Sequence, residues 1–316
     1  MNRDAREAFL TGLIDDAGLF PPASLPMEEA VAAHRESLAG TNGWILARFI
    51  CPASRLSDLD RWLPDEAVPW GVSVILDGAA GDRWLDEAVV DLSATRRFAE
   101  IRKGSARVEL LEVPLPQDTD APLLHKFVEA VEDAGLPDPV TPFLEVPRAA
   151  PLPATLEIIA EMRDRLDQRG ACRRPGAKLR CGGASEEIFP TSARVASFIR
   201  WCNRLGVQLK ATAGLHHPFR HTDPETGFVQ HGFVNVVGAA VLASAHDLDA
   251  EAIADIVSDQ DPASFSLAPE GFTWRDFSAS ESEIGTARGR LFRSYGSCSF
   301  VEPVEDLTGL GILPLP

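Results

Sequence analysis

Short β-rich runs alternate with longer amphipathic stretches along this chain, and that alternation excludes most folds before any motif is considered. The expected strands are Leu13–Ala17, Trp44–Ile50, Gly71–Asp77, Val108–Val113, Thr141–Val146, Ala177–Cys181 and Val207–Ala213, with a weaker eighth in Ser264–Ala268 or Phe272–Trp274. Apolar residues at helical spacing fill the intervals: Met27–Leu38, Arg55–Trp62, Asp82–Lys103, Ala121–Ala134, Ala154–Arg169, Ser192–Leu205, and Val234–His246 continuing to Val257. Repeated strand–helix units build parallel sheets, and eight strands in roughly 270 residues match an α/β fold of the (β/α)8 TIM barrel type. A doubly wound open sheet usually carries a Gly-rich phosphate turn after its first strand. Here that place reads Asp15-Asp16-Ala17-Gly18-Leu19-Phe20-Pro21-Pro22. The barrel is expected over residues 1–285, with 286–316 as a C-terminal arm or cap packed on it.

Charge narrows the partners. Thirty Lys and Arg against 47 Asp and Glu leave a net charge of −17, which repels nucleic acid and anionic membrane surfaces alike. Neither is expected as a partner. Residues 148–210 reverse the sign, with twelve basic residues against six acidic ones. Such an island focuses a small anion without attracting polyanions. The longest apolar stretch, Gly232–Ala245, contains Asn235 and falls short of the roughly 20 residues that span a bilayer. Met1–Gly18 lacks the basic and apolar regions of a secretory signal, so a cytoplasmic location is the expectation, and homo-oligomerisation is left open. Five cysteines without a C-x-x-C pair indicate neither a disulfide framework nor a cysteine zinc site.

Side chains alternate along a barrel strand, and catalytic groups project from its C-terminal end. Parity therefore sorts the polar residues. Lys178 and Arg180 share one face, with Leu179 and Cys181 on the other; Gln208, Lys210 and Thr212 likewise share a face. By the same rule Asp77, Glu112 and Glu145 end strands three, four and five, and Arg48 lies near the end of strand two. Asp16 could bring a carboxylate to the mouth from strand one. Lysines facing each other on adjacent strands repel, and repulsion with burial favours the neutral, nucleophilic form of one. Attraction wins instead if Glu112 or Glu145 pairs directly with Lys178, and the amine then stays charged. Arg180 and Arg48 would bind a substrate carboxylate through the bidentate guanidinium fork.

Lys178 followed by Cys181-Gly182-Gly183, a helix, and Gly206-Val207-Gln208-Leu209-Lys210-Ala211-Thr212-Ala213-Gly214 resembles the strand-six and strand-seven portion of class I aldolases of the deoxyribose-phosphate aldolase type, over about residues 176–214. The resemblance implies a lyase in which Lys178 forms a Schiff base with a carbonyl substrate, Lys210 lowers its pKa and Glu112 relays protons, without a cofactor. The chain departs from that family after strand seven, where Gly214–Gln230 opens an extended loop in place of a short turn. A loop of that length is expected to act as a lid or a ligand-binding loop.

The histidines carry an alternative. His216, His217, His221 and His231 are four of the seven in the chain. Imidazoles near strand-end carboxylates can bind a divalent metal, which would make the protein a metal-dependent hydrolase or isomerase. Pro218 rules out a helical His-x-x-x-His site. General acid–base work by His216 or His217 is the other reading, while His34 and His125 fall in helical patterns and are expected at the surface. The favoured function is carbon–carbon bond cleavage or formation, or a related isomerisation, on a small anionic carbonyl compound; a non-catalytic anion-binding barrel is the third class.

Overall fold

The computed structural model describes residues 4–64, 68–78, 83–137, 140–168 and 174–314. Asp82 and Arg169, which bound two of the expected helices, lie outside them. Eight parallel strands close a barrel in the order in which the chain makes them. They are β1 (Ile14–Asp16), β2 (Leu46–Pro52), β3 (Trp70–Ile75), β4 (Ala106–Pro114), β5 (Thr141–Glu145), β6 (Gly176–Arg180), β7 (Leu209–Thr212) and β8 (Phe292–Ser297). The protein is a (β/α)8 barrel. Ile14, Asp15 and Asp16 of β1 pair with Tyr295, Gly296 and Ser297 of β8, which closes the ring.

The eighth strand is not where it was expected. Phe265–Ala268, Gly271–Trp274 and Phe277–Ser280 form a separate antiparallel meander. Two residues, Pro269 and Glu270, connect the first pair, and so short a link permits only an antiparallel turn, whereas parallel neighbours need a crossover. The boundary placed at 285/286 thus falls inside a helix (Glu281–Arg290) that leads into β8. The segment read as an arm supplies the closing strand, and Val301–Gly309 is the helix beyond it.

Numbered along the chain, the helices are α1 (Ala5–Leu10), α2 (Met27–Ala39), α3 (Leu56–Trp62), α4 (Trp84–Ile101), α5 (Ala121–Asp133), α6 (Leu152–Gln168), α7 (Ser192–Leu205), α8 (Phe233–His246), α9 (Ala250–Ser258), α10 (Glu281–Arg290) and α11 (Val301–Gly309). The long helix expected to Val257 is two, because Asp247 turns left-handed (φ 48) after α8 and the Asp249 side chain caps α9. Val72, Val74, Leu111, Val113, Leu144, Leu179 and Ala211 bury the outer strand faces against helix residues such as Leu92, Phe127, Ile159 and Phe198. The apolar core is therefore a sleeve around the barrel, and polar side chains are left for the lumen. Among the described residues no helix is long and apolar enough to cross a membrane.

Candidate active site

Polar lumen residues form one chain of alternating charge. Glu109 Oε2 receives Arg48 Nε at 2.8 Å, and Arg48 reaches Asp15 Oδ1 at 3.1 Å. Asp15 pairs with Lys210 through Oδ2, which also accepts Ser294 Oγ at 2.6 Å. Lys210 Nζ lies 3.2 Å from Glu112 Oε1, itself the acceptor of Ser73 Oγ at 2.7 Å. Glu112 Oε2 is 2.6 Å from Lys178 Nζ, Lys178 is 2.8 Å from Glu145 Oε2, and Glu145 Oε1 accepts Arg180 Nε at 2.8 Å. Eight ions from six strands thus form a ladder, with each interior ion between two of opposite sign. Lys178 and Lys210 sit directly opposite each other in the β6–β7 register, as parity required.

This pairing decides the protonation states. Burial alone would push the Lys178 ammonium to lose its proton, but Glu112 and Glu145 outweigh it and raise the pKa. Burial raises Glu112, yet Lys178 and Lys210 hold it at about 2. Glu145 and Asp15 show the same contest, burial against Lys178 and Arg180 in one case and against Lys210 and Arg48 in the other, and both end below the usual carboxylate range. The expected neutral Lys178 is therefore not the resting state. Glu112 Oε2 and Glu145 Oε2 are buried beside the ammonium without an aligned hydrogen-bond donor, so their contacts with it are close ion pairs off the hydrogen-bond axis.

At one end the ladder opens into a pocket. Glu145 and Arg180 line a pocket of about 200 Å³ over the C-terminal ends of β4, β5 and β6, together with Gln117, Arg148 and Arg194. Arg194 donates to Pro147 O at 3.1 Å, and burial followed by repulsion from Arg148 lowers its pKa. Three guanidiniums thus share the wall with one carboxylate, which pairs with Arg180 and Lys178. Three of the twelve basic residues of the sequence island meet here, beside the start of α7, whose N-terminal dipole adds to the field.

Other expected site residues lie elsewhere. Arg48 is the third residue of β2, which runs on to Pro52, so it sits near the strand's start and far below the mouth. Asp77 caps the turn after β2 by accepting Ser54 N at 3.0 Å. Asp16 accepts Gly18 N at 2.8 Å and holds His34 Nδ1 at 2.9 Å; the lumen carboxylate of β1 is Asp15. His34 is buried, against the surface expectation. The loop from Gly214 starts packed against the exit of β6, where a Cβ on Gly182 would lie 2.7 Å from Gly214 Cα. Its imidazoles, however, turn to α11: His216 Nδ1 lies 3.4 Å from Glu302 Oε2 and His217 Nδ1 2.7 Å from Asp306 Oδ2. His231 meets Pro190 O at 2.7 Å and burial holds it down at about 4, so it anchors the loop as a neutral ring. Among the described residues no group of three or more His, Cys, Asp or Glu is arranged to hold a metal ion. Cys181 faces the helices as expected, its thiol pushed up to about 12 by burial.

Asp15, Glu109, Ser73 and Ser294 were missed, as were Arg148 and Arg194 at the rim. Asp15 had a visible signal in the Asp15-Asp16 pair at the end of strand one, which guarantees one carboxylate on each face. No protein-family model matches the chain, and no curated protein matches it.

Proposed function

We propose that this barrel is an enzyme that acts on a small anionic carbonyl compound, in the lyase or isomerase class, and forms an enolate stabilised by the Lys178 ammonium. The observation that carries this reading is Lys178 Nζ held 2.6 Å from Glu112 and 2.8 Å from Glu145, with Glu145 in the wall of the three-arginine pocket. The substrate's anionic group takes Arg180, Arg148 and Arg194. Drawing Arg180 away from Glu145 removes one of the charges that depress it, so substrate arrival strengthens the base. Glu145 then accepts a proton, either from the carbon beside the carbonyl or from the hydroxyl that initiates carbon–carbon cleavage. The electron pair ends on the carbonyl oxygen, where a held cation in a dry site is worth far more than in water.

A second reading is favoured by the Lys178–Lys210 juxtaposition and by the aldolase resemblance. Here Lys178 gives a proton to Glu145 when substrate enters, attacks the carbonyl as the free amine and forms an imine with loss of water. Proton–deuterium exchange beside the carbonyl, followed by NMR across a panel of small oxo acids, tests the shared enolate. Exchange lost in Lys178→Met and Glu145→Gln supports it. Exchange by no panel member, or exchange indifferent to both substitutions, overturns it. Borohydride trapping of an adduct on Lys178 separates imine from ammonium.

A further inference from the structure

The opposite end of the barrel holds a second basic cleft. About 390 Å³ lies between α1, α10 and the starts of β2 and β8. Its walls are small where they could have been large: Gly285 and Gly289, one turn apart on α10, have nothing within 4 Å of the place a Cβ would take. Its charged lining is Arg48, Arg288 and Arg293, with Glu281.

The three arginines are not equivalent. Arg48 is occupied by Asp15 and Glu109. Arg288 has no carboxylate: it donates to Phe292 O and Arg293 O at 2.7 Å and to Thr11 O at 2.9 Å. Its buried Nε–H has no partner, although Nε and Nη2 form the edge with which a guanidinium binds oxyanions. Arg293, half-buried, makes no side-chain ion pair or hydrogen bond among the described residues. Burial, then repulsion from Arg293, pulls Arg288 down to about 9 against the attraction of Asp15, and burial, then Arg48, lowers Arg293 against Asp15 and Glu109. Cationic charge is thus desolvated here with no carboxylate paired directly to Arg288 or Arg293 among the described residues, unlike the ions of the ladder.

We propose that this cleft binds a compact phosphate-type dianion, held by Arg293 and Arg288 with Arg48 behind it, as a site separate from the pocket at the opposite rim. Two guanidiniums suit a dianion, and the glycine walls leave room for a tetrahedral group close to the backbone. The dianion comes either free or as the end of a small phosphate monoester.

Calorimetric titration of the full chain with inorganic phosphate, and separately with glycerol 3-phosphate, tests the site. Two variants remove it differently. Arg293→Gln deletes a ligand, while Gly285→Glu adds a carboxylate at the wall and improves the helix, since Glu is the better helix former. Saturable binding by the wild type, weakened at least about tenfold (about 1.4 kcal/mol) in both variants and unchanged in Arg194→Gln, is the expected result. The tighter of the two probes identifies the source. Absence of saturable binding of either probe, wild-type affinity in either Arg293→Gln or Gly285→Glu, or loss only in Arg194→Gln overturns the proposal.

Discussion

Lys178 is the residue on which the chemistry turns, and its two partners separate its roles. Lys178→Arg keeps the cation but cannot form an imine, so the ammonium reading expects exchange to survive at a reduced rate while trapping disappears. Lys178→Met leaves Glu112 and Glu145 without the cation between them, each keeping one partner, Lys210 or Arg180, and breaking a buried pair in this way costs about 3–5 kcal/mol; thermal unfolding checks it. Glu112 gives a pH signature. Its folded pKa of about 2 lies below the ordinary 4.5, so its stabilisation is complete above about 4.5 and is lost as pH falls through that interval, an effect of about 3 kcal/mol. Acid denaturation of Glu112→Gln should lack that segment. The lysines, Glu112 and Glu145 were legible because period-two alternation needs only a strand's interior. Arg48 and Asp77 were misplaced because depth in the barrel depends on where a strand ends, and two residues of error move a side chain across a layer. Glu109 was hidden by the register shift between Val72 and Ser73 opposite β4, where simple alternation fails.

At the scale of elements, the first seven strands were readable to within about two residues because each is a β-branched or aliphatic run bounded by turn residues. β8 was not. Phe292-Arg293-Ser294-Tyr295-Gly296-Ser297 carries a glycine and two serines, and its strength is tertiary: Ser294 serves Asp15, and Gly296 clears Ile50 and Thr212, which a Cβ would approach to 3.1 and 3.2 Å. The meander was the better strand by propensity and the wrong one by connectivity. What holds it to the barrel's outer layer is Gly238 of α8, where a Cβ would lie 2.2 Å from the Phe272 ring. Gly238→Ala should therefore lower stability by about 1–3 kcal/mol despite Ala's helix preference, as overpacking does. Shortening the ring partner, as Phe272→Leu in the Gly238→Ala background, should restore part of the loss; melting temperatures of the three proteins decide.

For the whole molecule, the ladder places neutralised ions inside an acidic shell. Added salt screens the self-repulsion of that shell within a Debye length of about 8 Å at physiological strength and barely touches buried pairs, so the melting temperature should rise with moderate salt at neutral pH. Closure of the ring has a different reach. A chain stopped after Leu291 lacks β8, and it should elute as soluble aggregates or fail to remain in solution, because β1 and β7 are left as open parallel edges; size-exclusion chromatography against the full chain reads this. The same feature sets a timetable for the cell. Ser294 is made 279 residues after the aspartate it serves, a delay of roughly 15 s to 1 min at about 5–20 residues per second. Asp15 stays in an unsealed lumen throughout that interval, joined by Lys210 only after 195 residues, so chaperone demand falls on the nearly complete polypeptide, and a stop codon just before β8 leaves the ring as open as one far upstream.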